Sequence, residues 1–326
     1  MGFIKSHEDT LWWLHSLWAL LFGVFVMWLG SRDFTYLRII IFHIAFIWLS
    51  SLFLPAIAKI PRFAPQWRER LRLAVNYFNK NFYQQLIFFV MPIYYASATW
   101  WSRNMAFMAL LAVSAVLSTL DIVYDRYLSV RWPLTSLFFA FNLFACINVL
   151  LPLIWNISNH RAVWISGALA LAAFCSLFYR YSGLRGRDFG LVAGAAAIVL
   201  LAVIFLFRPF LPPAPLSLAG VEFGRSIRAL KVVSPIAELP AGGSGDIVAL
   251  SAIKAPLGLR EEVRHRWYLD GKLLYSSPVY SVTGGRQEGY RVWTRVTWRQ
   301  GLEGSVLVLD VETRSGQLIG RATLKK

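Results

Sequence analysis

Apolar runs of about twenty residues recur along the first two thirds of the chain, more than a soluble core could bury. A helix rises about 1.5 Å per residue and bilayer hydrocarbon is about 30 Å thick, so each run has the length of one crossing. Seven spans are expected by this ruler, at residues 11–30, 36–58, 82–101, 105–123, 134–155, 162–179 and 189–211. The expected fold class is a membrane all-α bundle of about seven transmembrane helices, followed by a small all-β antiparallel sandwich-like domain. The lipid bilayer is then the first partner. A hydrophobic content of 57% over 326 residues agrees with this.

Charge gives the spans a direction. The net charge of +16 would suit nucleic acid, but the basic residues sit beside the apolar runs, which favours membrane orientation and anionic headgroups and argues against a nucleic-acid partner. With the amino terminus inside, twelve Lys or Arg fall in the expected cytoplasmic segments, among them Arg62, Arg68, Arg70 and Arg72. Four (Arg32, Arg38, Arg103 and Arg161) fall on the other side. The expected location is the bacterial inner membrane, with the amino terminus cytoplasmic and the final domain periplasmic. Residues 62–80 space Trp67, Leu71, Val75 and Phe78 as one helical face, which suits an amphipathic helix on the inner surface with Arg62, Arg68, Arg70 and Arg72 against lipid headgroups.

Three domains are expected: a helical membrane part at 1–211, a proline-rich linker with an irregular lead-in at 212–244, and a β-domain at 245–326. Four prolines between Arg208 and Leu216 stiffen the start of the linker. Period-two alternation then predicts strands at 247–253, 263–269, 272–275, 291–298, 305–313 and 318–324, with tight turns at Asp270-Gly271 and Ser315-Gly316.

Few residues offer chemistry. His43 is the one histidine near the middle of an expected span, and Asp121 and Asp125 share a helix face one turn apart. These three form the candidate intramembrane polar site, although no third group at a catalytic spacing accompanies the carboxylates. Ser251-Ala-Ile-Lys254 spells S-x-x-K, but a strand sends residues three apart to opposite faces. Cys146 and Cys175 lie in apolar runs, and no Cys/His cluster suggests a metal. No catalytic residue, cofactor or metal ligand is assigned. In the β-domain, Val263, His265 and Trp267 alternate onto one expected core face. Arg264, Arg266 and Tyr268, with Arg291, Trp293 and Arg295 on a later strand, form a basic and aromatic stripe suited to an acidic glycan, a headgroup or a protein partner.

His265-Arg-Trp267, Gly271-Lys272, the strand Tyr290-Arg-Val-Trp-Thr-Arg295 and the hairpin Gly316-Gln-Leu-Ile-Gly320 resemble the bacterial domain-of-unknown-function family 2914. The likeness covers about the last 80 residues and implies a carboxyl-terminal domain of a membrane-associated protein, with no implied activity. Together these readings point to a non-enzymatic inner-membrane protein whose extracytoplasmic β-domain binds an envelope component or protein. The alternatives are a transporter or lipid-modifying enzyme that uses His43, Asp121 and Asp125, and a scaffold subunit of a membrane complex.

Overall fold

The computed structural model describes seven positions between Leu17 and Phe25 and residues 87–120, 131–239, 245–298 and 306–326. Its helices are α1 (Ile87–Ser97), α2 (Asn104–Thr119), α3 (Trp132–Trp155), α4 (Asn159–Ser182) and α5 (Gly186–Phe207). A single 3-10 turn, Arg208–Phe210, closes α5.

The expected seven-span bundle is not what the structure shows. Among the described residues three segments are long and apolar enough to cross a membrane: Pro133–Trp155, Asn159–Arg180 and Gly186–Phe210. Between the expected third and fourth spans, a run of apolar residues hides a six-residue connection, Ala98–Arg103, in which Trp101 takes a positive φ of 58° and the Ser102 hydroxyl accepts the N–H of Asn104. The helices on either side end early, and α2, at 16 residues, reaches about 24 Å of a core about 30 Å thick. The expected span at 36–58 and the amphipathic segment at 62–80 lie outside the described residues, as does most of 11–30.

The chain divides into two compact units. The first holds the described residues up to Ile93, Ala109–Leu150 and Val163–Phe205. Within it the Ser114 hydroxyl donates to Asn142 Oδ1 at 2.6 Å, joining α2 to α3. Gly167 admits Ile204 of α5 so closely that a Cβ there would lie 2.5 Å from the Ile204 Cδ1. Gly190 and Gly194 of α5 face open space. Cys146 and Cys175 are both free thiols.

The second unit gathers Tyr94–Met108, Leu151–Ala162 and Leu206–Lys326. Its strands are β1 (Ser217–Arg228), β2 (Lys231–Pro235), β3 (Gly245–Lys254), β4 (Arg260–Leu269), β5 (Lys272–Ser276), β6 (Tyr280–Thr283), β7 (Tyr290–Trp298), β8 (Val306–Thr313) and β9 (Leu318–Lys325). One antiparallel sheet runs β2-β1-β3-β7 and the other β5-β4-β8-β9, with β6 also on β4. Both sheets bury side chains in one core, with Phe223, Ile247, Ile253 and Val292 from the first and Val263, Trp267, Leu309 and Ile319 from the second. Trp267 is fully buried at its centre and meets Phe223 edge-on at 5.9 Å.

Every strand expected after residue 245 is present. Asp270 and Gly271 both take positive φ, 47° and 81°, as a two-residue hairpin turn requires. The stretch expected to be irregular is not so throughout, because β1 and β2 occupy 217–235 and complete the first sheet. Three polar contacts within the second unit join helix ends to strands. Asn104 Nδ2 donates to the Leu318 carbonyl at 3.0 Å, the Asn159 N–H donates to Glu261 Oε2 at 2.6 Å, and Gln317 Nε2 donates to the Leu211 carbonyl at 3.3 Å.

Candidate partner-binding faces

Alternation along β4 sends Val263, His265 and Trp267 inward, and all three are fully buried as the sequence pattern predicts. Burying His265 and the Trp267 indole requires partners for their polar atoms. The Trp267 N–H donates to Thr294 Oγ1 at 2.9 Å, His265 Nδ1 lies 2.8 Å from the same hydroxyl, and His265 Nε2 lies 2.8 Å from Ser251 Oγ. Ser251 Oγ in turn donates to the Val292 carbonyl at 3.3 Å. One proton arrangement gives each donor in this chain an acceptor. Thr294 donates to Nδ1, Nε2–H donates to Ser251, and Ser251 donates to Val292.

In that arrangement histidine donates to serine, the reverse of the proton transfer that activates a nucleophilic serine, and Ser251 is fully buried. Desolvation holds the His265 imidazole down at about 4 from an ordinary 6.5, so it stays neutral. Lys254 is exposed while Ser251 is buried, which separates the two ends of the S-x-x-K spelling.

The inward faces of β4 and β7 meet through this network, so their outward faces point away from each other. The six stripe residues therefore form two faces and not one. Arg264, Arg266 and Tyr268 stand outside the second sheet, and Arg291, Trp293 and Arg295 outside the first.

The β4 face is largely neutralised. Glu312, directly across from Arg264 on β8, receives Arg264 at 3.3 Å and Arg266 at 3.6 Å. Asp310 receives both Nε and Nη2 of Arg321 from β9, at 2.6 and 2.7 Å. Arg266 lies over the Tyr268 ring at 5.6 Å. Burial raises the Glu312 carboxyl above its usual range against the pull of Arg266 and Arg264. Three arginines thus share two carboxylates in a ladder that fastens β4, β8 and β9.

The β7 face is different. Trp293 sits opposite Leu250 and keeps 44% of its surface exposed, with Arg291 and Arg295 two residues to either side. Arg291 pairs with Glu288 at 2.9 Å and donates to the Leu230 carbonyl, while Arg295 pairs with Asp246 at 3.2 Å. These exposed pairs hold the guanidinium groups in place but contribute little stability, so an anionic partner can displace their carboxylates at small cost. His43, Asp121, Asp125, Arg62, Arg68, Arg70 and Arg72 lie outside the described residues. Among the described residues no group of three His, Cys, Asp or Glu side chains could hold a metal ion.

Residues 4–234 match the model of DUF5924, a family of unknown function. The chain belongs to that family. Residues 260–325 match a second model, DUF2914, a protein family of unknown function, in agreement with the strand motifs quoted above. The first match contains β1 and most of β2, so the first sheet combines strands from both matched segments. No curated protein matches the chain. Among solved structures, the Pseudomonas fluorescens alkylpurine DNA glycosylase AlkC bound to DNA containing an abasic site analog aligns over 94% of this chain and 96% of its own. At 11% identity and a TM-score of 0.23, that alignment carries no argument about fold or activity.

Proposed function

We propose that the chain is a membrane-anchored, non-catalytic binding protein whose β-strands engage an acidic envelope component or protein through the outer face of β7. The observation that carries this is Trp293, an exposed indole between two arginines whose carboxylate partners, Glu288 and Asp246, are themselves surface residues. Anchoring is supported by three helices of spanning length and composition. The Lys and Arg bias of the loops supports an extracytoplasmic position for the strands. Arg291, Trp293 and Arg295 form this binding face, whereas Arg264, Arg266 and Tyr268 serve strand cohesion on the other sheet.

The test uses the full chain in its membrane, with a photoreactive residue at Thr297 beside the face. Crosslinked partners should disappear in Trp293→Ala and in Arg291→Glu/Arg295→Glu, while Arg264→Gln leaves them in place. Identical crosslinks in all variants would remove β7 as the binding face. A reporter fused after Leu216 that is active only in the cytoplasm would remove the extracytoplasmic assignment.

A further inference from the structure

β7 ends the first sheet, and among the described residues it is paired with β3 alone. Each residue of such a strand directs its N–H and C=O either to the neighbouring strand or to the open side, in alternation. Two hydrogen bonds show which residues do which. The Ser251 hydroxyl of β3 donates to the Val292 carbonyl, so Val292 turns its backbone towards β3. On the other side of the sheet, the Phe223 carbonyl of β1 accepts the Ile236 N–H beyond β2. Phe223 therefore turns away from its β3 partner Ala249, and Ala249 turns towards β7, where it meets Thr294. The β3–β7 register runs without a bulge from the Ile253–Tyr290 pair to the Gly245–Trp298 pair. Alternation then directs Val292, Thr294 and Val296 to β3 and Arg291, Trp293 and Arg295 to the open edge.

The residues with open backbone groups are thus the same three that carry the exposed indole and the two guanidinium groups. A strand laid antiparallel on this edge, with one residue opposite Trp293, exchanges both backbone hydrogen bonds with it. The residues two before and two after then lie opposite Arg295 and Arg291, on the same face as their side chains. Charge selects the occupant. Arg291 and Arg295 already hold carboxylates, Glu288 at 2.9 Å and Asp246 at 3.2 Å, in solvent-exposed pairs that an incoming carboxylate can replace at small cost. A second copy of β7 is a poor occupant, because centring Trp293 on its own copy sets Arg291 against Arg295, and like charges directly opposite repel. The two arginine positions are about 13 Å apart along the strand, which is the separation of residues four apart in any extended peptide.

We propose that the open edge of β7 takes up an extended acidic peptide segment of a partner protein as a further antiparallel strand, with an apolar residue on Trp293 and carboxylates on Arg291 and Arg295. This rests on the binding face proposed above and adds to it the class of partner and the backbone pairing that holds it.

The test uses the purified full chain and the peptide acetyl-Ser-Glu-Thr-Val-Thr-Glu-Ser-amide, whose valine is placed to meet Trp293. N-Methylation of the valine removes an N–H aimed at β7 and should weaken binding at least about tenfold, whereas N-methylation of either threonine, whose N–H points away, should change it less than about threefold. Exchanging the first glutamate with its neighbouring threonine sends that carboxylate to the opposite face and should also weaken binding. Because these changes lie in the peptide, the fold of the protein is the same throughout. Residue-resolved hydrogen exchange gives a second reading: the peptide should slow the amides of Arg291, Trp293 and Arg295 and leave those of Val292, Thr294 and Val296 as they were. No binding at about 1 mM peptide, or sensitivity to methylation at threonine and not at valine, would overturn the antiparallel strand. Equal binding of the methylated-valine peptide that is still abolished by Arg291→Glu/Arg295→Glu overturns strand addition and leaves the face as a site for acidic side chains. Binding indifferent to Arg291→Glu/Arg295→Glu overturns the face itself.

Discussion

The indole N–H of Trp267 donates to the Thr294 hydroxyl at 2.9 Å, joining β4 of one sheet to β7 of the other through the middle of the core. His265 uses the same hydroxyl, so one threonine satisfies two buried side chains. Thr294→Val keeps the shape and removes the hydroxyl. It should cost about 2–4 kcal/mol, since each buried polar atom left unpaired costs about 1–3 kcal/mol. Hydrogen exchange of β4 and β7 amides in the purified chain measures this, and Thr294→Ser should retain most of the protection.

The same network makes the second unit acid-sensitive. The His265 pKa is about 4 when folded and 6.5 when exposed, so the unfolded chain binds the extra proton between those values. Its contribution is complete above pH 6.5 and is lost as pH falls towards 4, up to about 3 kcal/mol at about 1.4 kcal/mol per unit. Unfolding of the second unit followed across this range should show that slope, and His265→Gln, which has no proton to gain, should flatten it.

Glu261 responds to pH in the opposite sense. Desolvation raises its carboxyl above 4.5 although the Asn159 and Glu262 N–H groups favour the charged form. Its contribution is therefore full below 4.5 and declines as pH rises through the raised folded value. Glu261→Gln keeps an oxygen for Asn159 and should remove that decline. Glu261→Ala leaves a first-turn N–H of α4 unpaired and should cost about 1–3 kcal/mol, seen as faster exchange at residues 159–162.

On the outer face of the second sheet, Arg321→Met alone leaves the buried Asp310 carboxylate without its bidentate partner. Destabilisation of about 1–3 kcal/mol is expected, because the pair is open to solvent on the arginine side. Arg321→Met with Asp310→Leu should recover most of it. A double-mutant cycle on denaturant unfolding gives the coupling directly.

Much of the second unit was legible in the sequence because β4 and β7 alternate without interruption, β8 is rich in β-branched residues and Asp270-Gly271 is a strong turn pair. The β1–β2 hairpin was not legible, for two physical reasons. Its turn is built from Ala229 and Leu230 at φ 49° and 56°, with none of the Gly, Asn or Asp that such angles favour. A bulge between Leu218 and Gly220 also shifts the period, so that Leu218, Val221 and Phe223 face inward together despite their uneven spacing. Ala229→Asn/Leu230→Gly should accordingly stabilise the unit by about 1–2 kcal/mol, read from the same unfolding transition.

The sites were only partly legible. Alternation assigned faces to Arg264, Arg266, Arg291 and Arg295 correctly. It carried no information that β4 and β7 lie in different sheets, which divides the stripe. Glu261 gave no signal at all, because its partner is a helix end 102 residues away. Among the described residues the helices fall where hydropathy put them, but only three reach spanning length, because hydropathy sees the apolar residues through 101 and not the turn that ends α1 at Ser97.

The capping of α4 by Glu261 also imposes an order on synthesis. Asn159 leaves the ribosome 102 residues ahead of its carboxylate, and Asn104 precedes the Leu318 carbonyl by 214. During elongation these helix ends hold their polar groups in water, and the last hairpin to be made completes the contacts. A nascent chain released before residue 261 therefore carries a chemical record of its incompleteness in the bare backbone donor at Asn159.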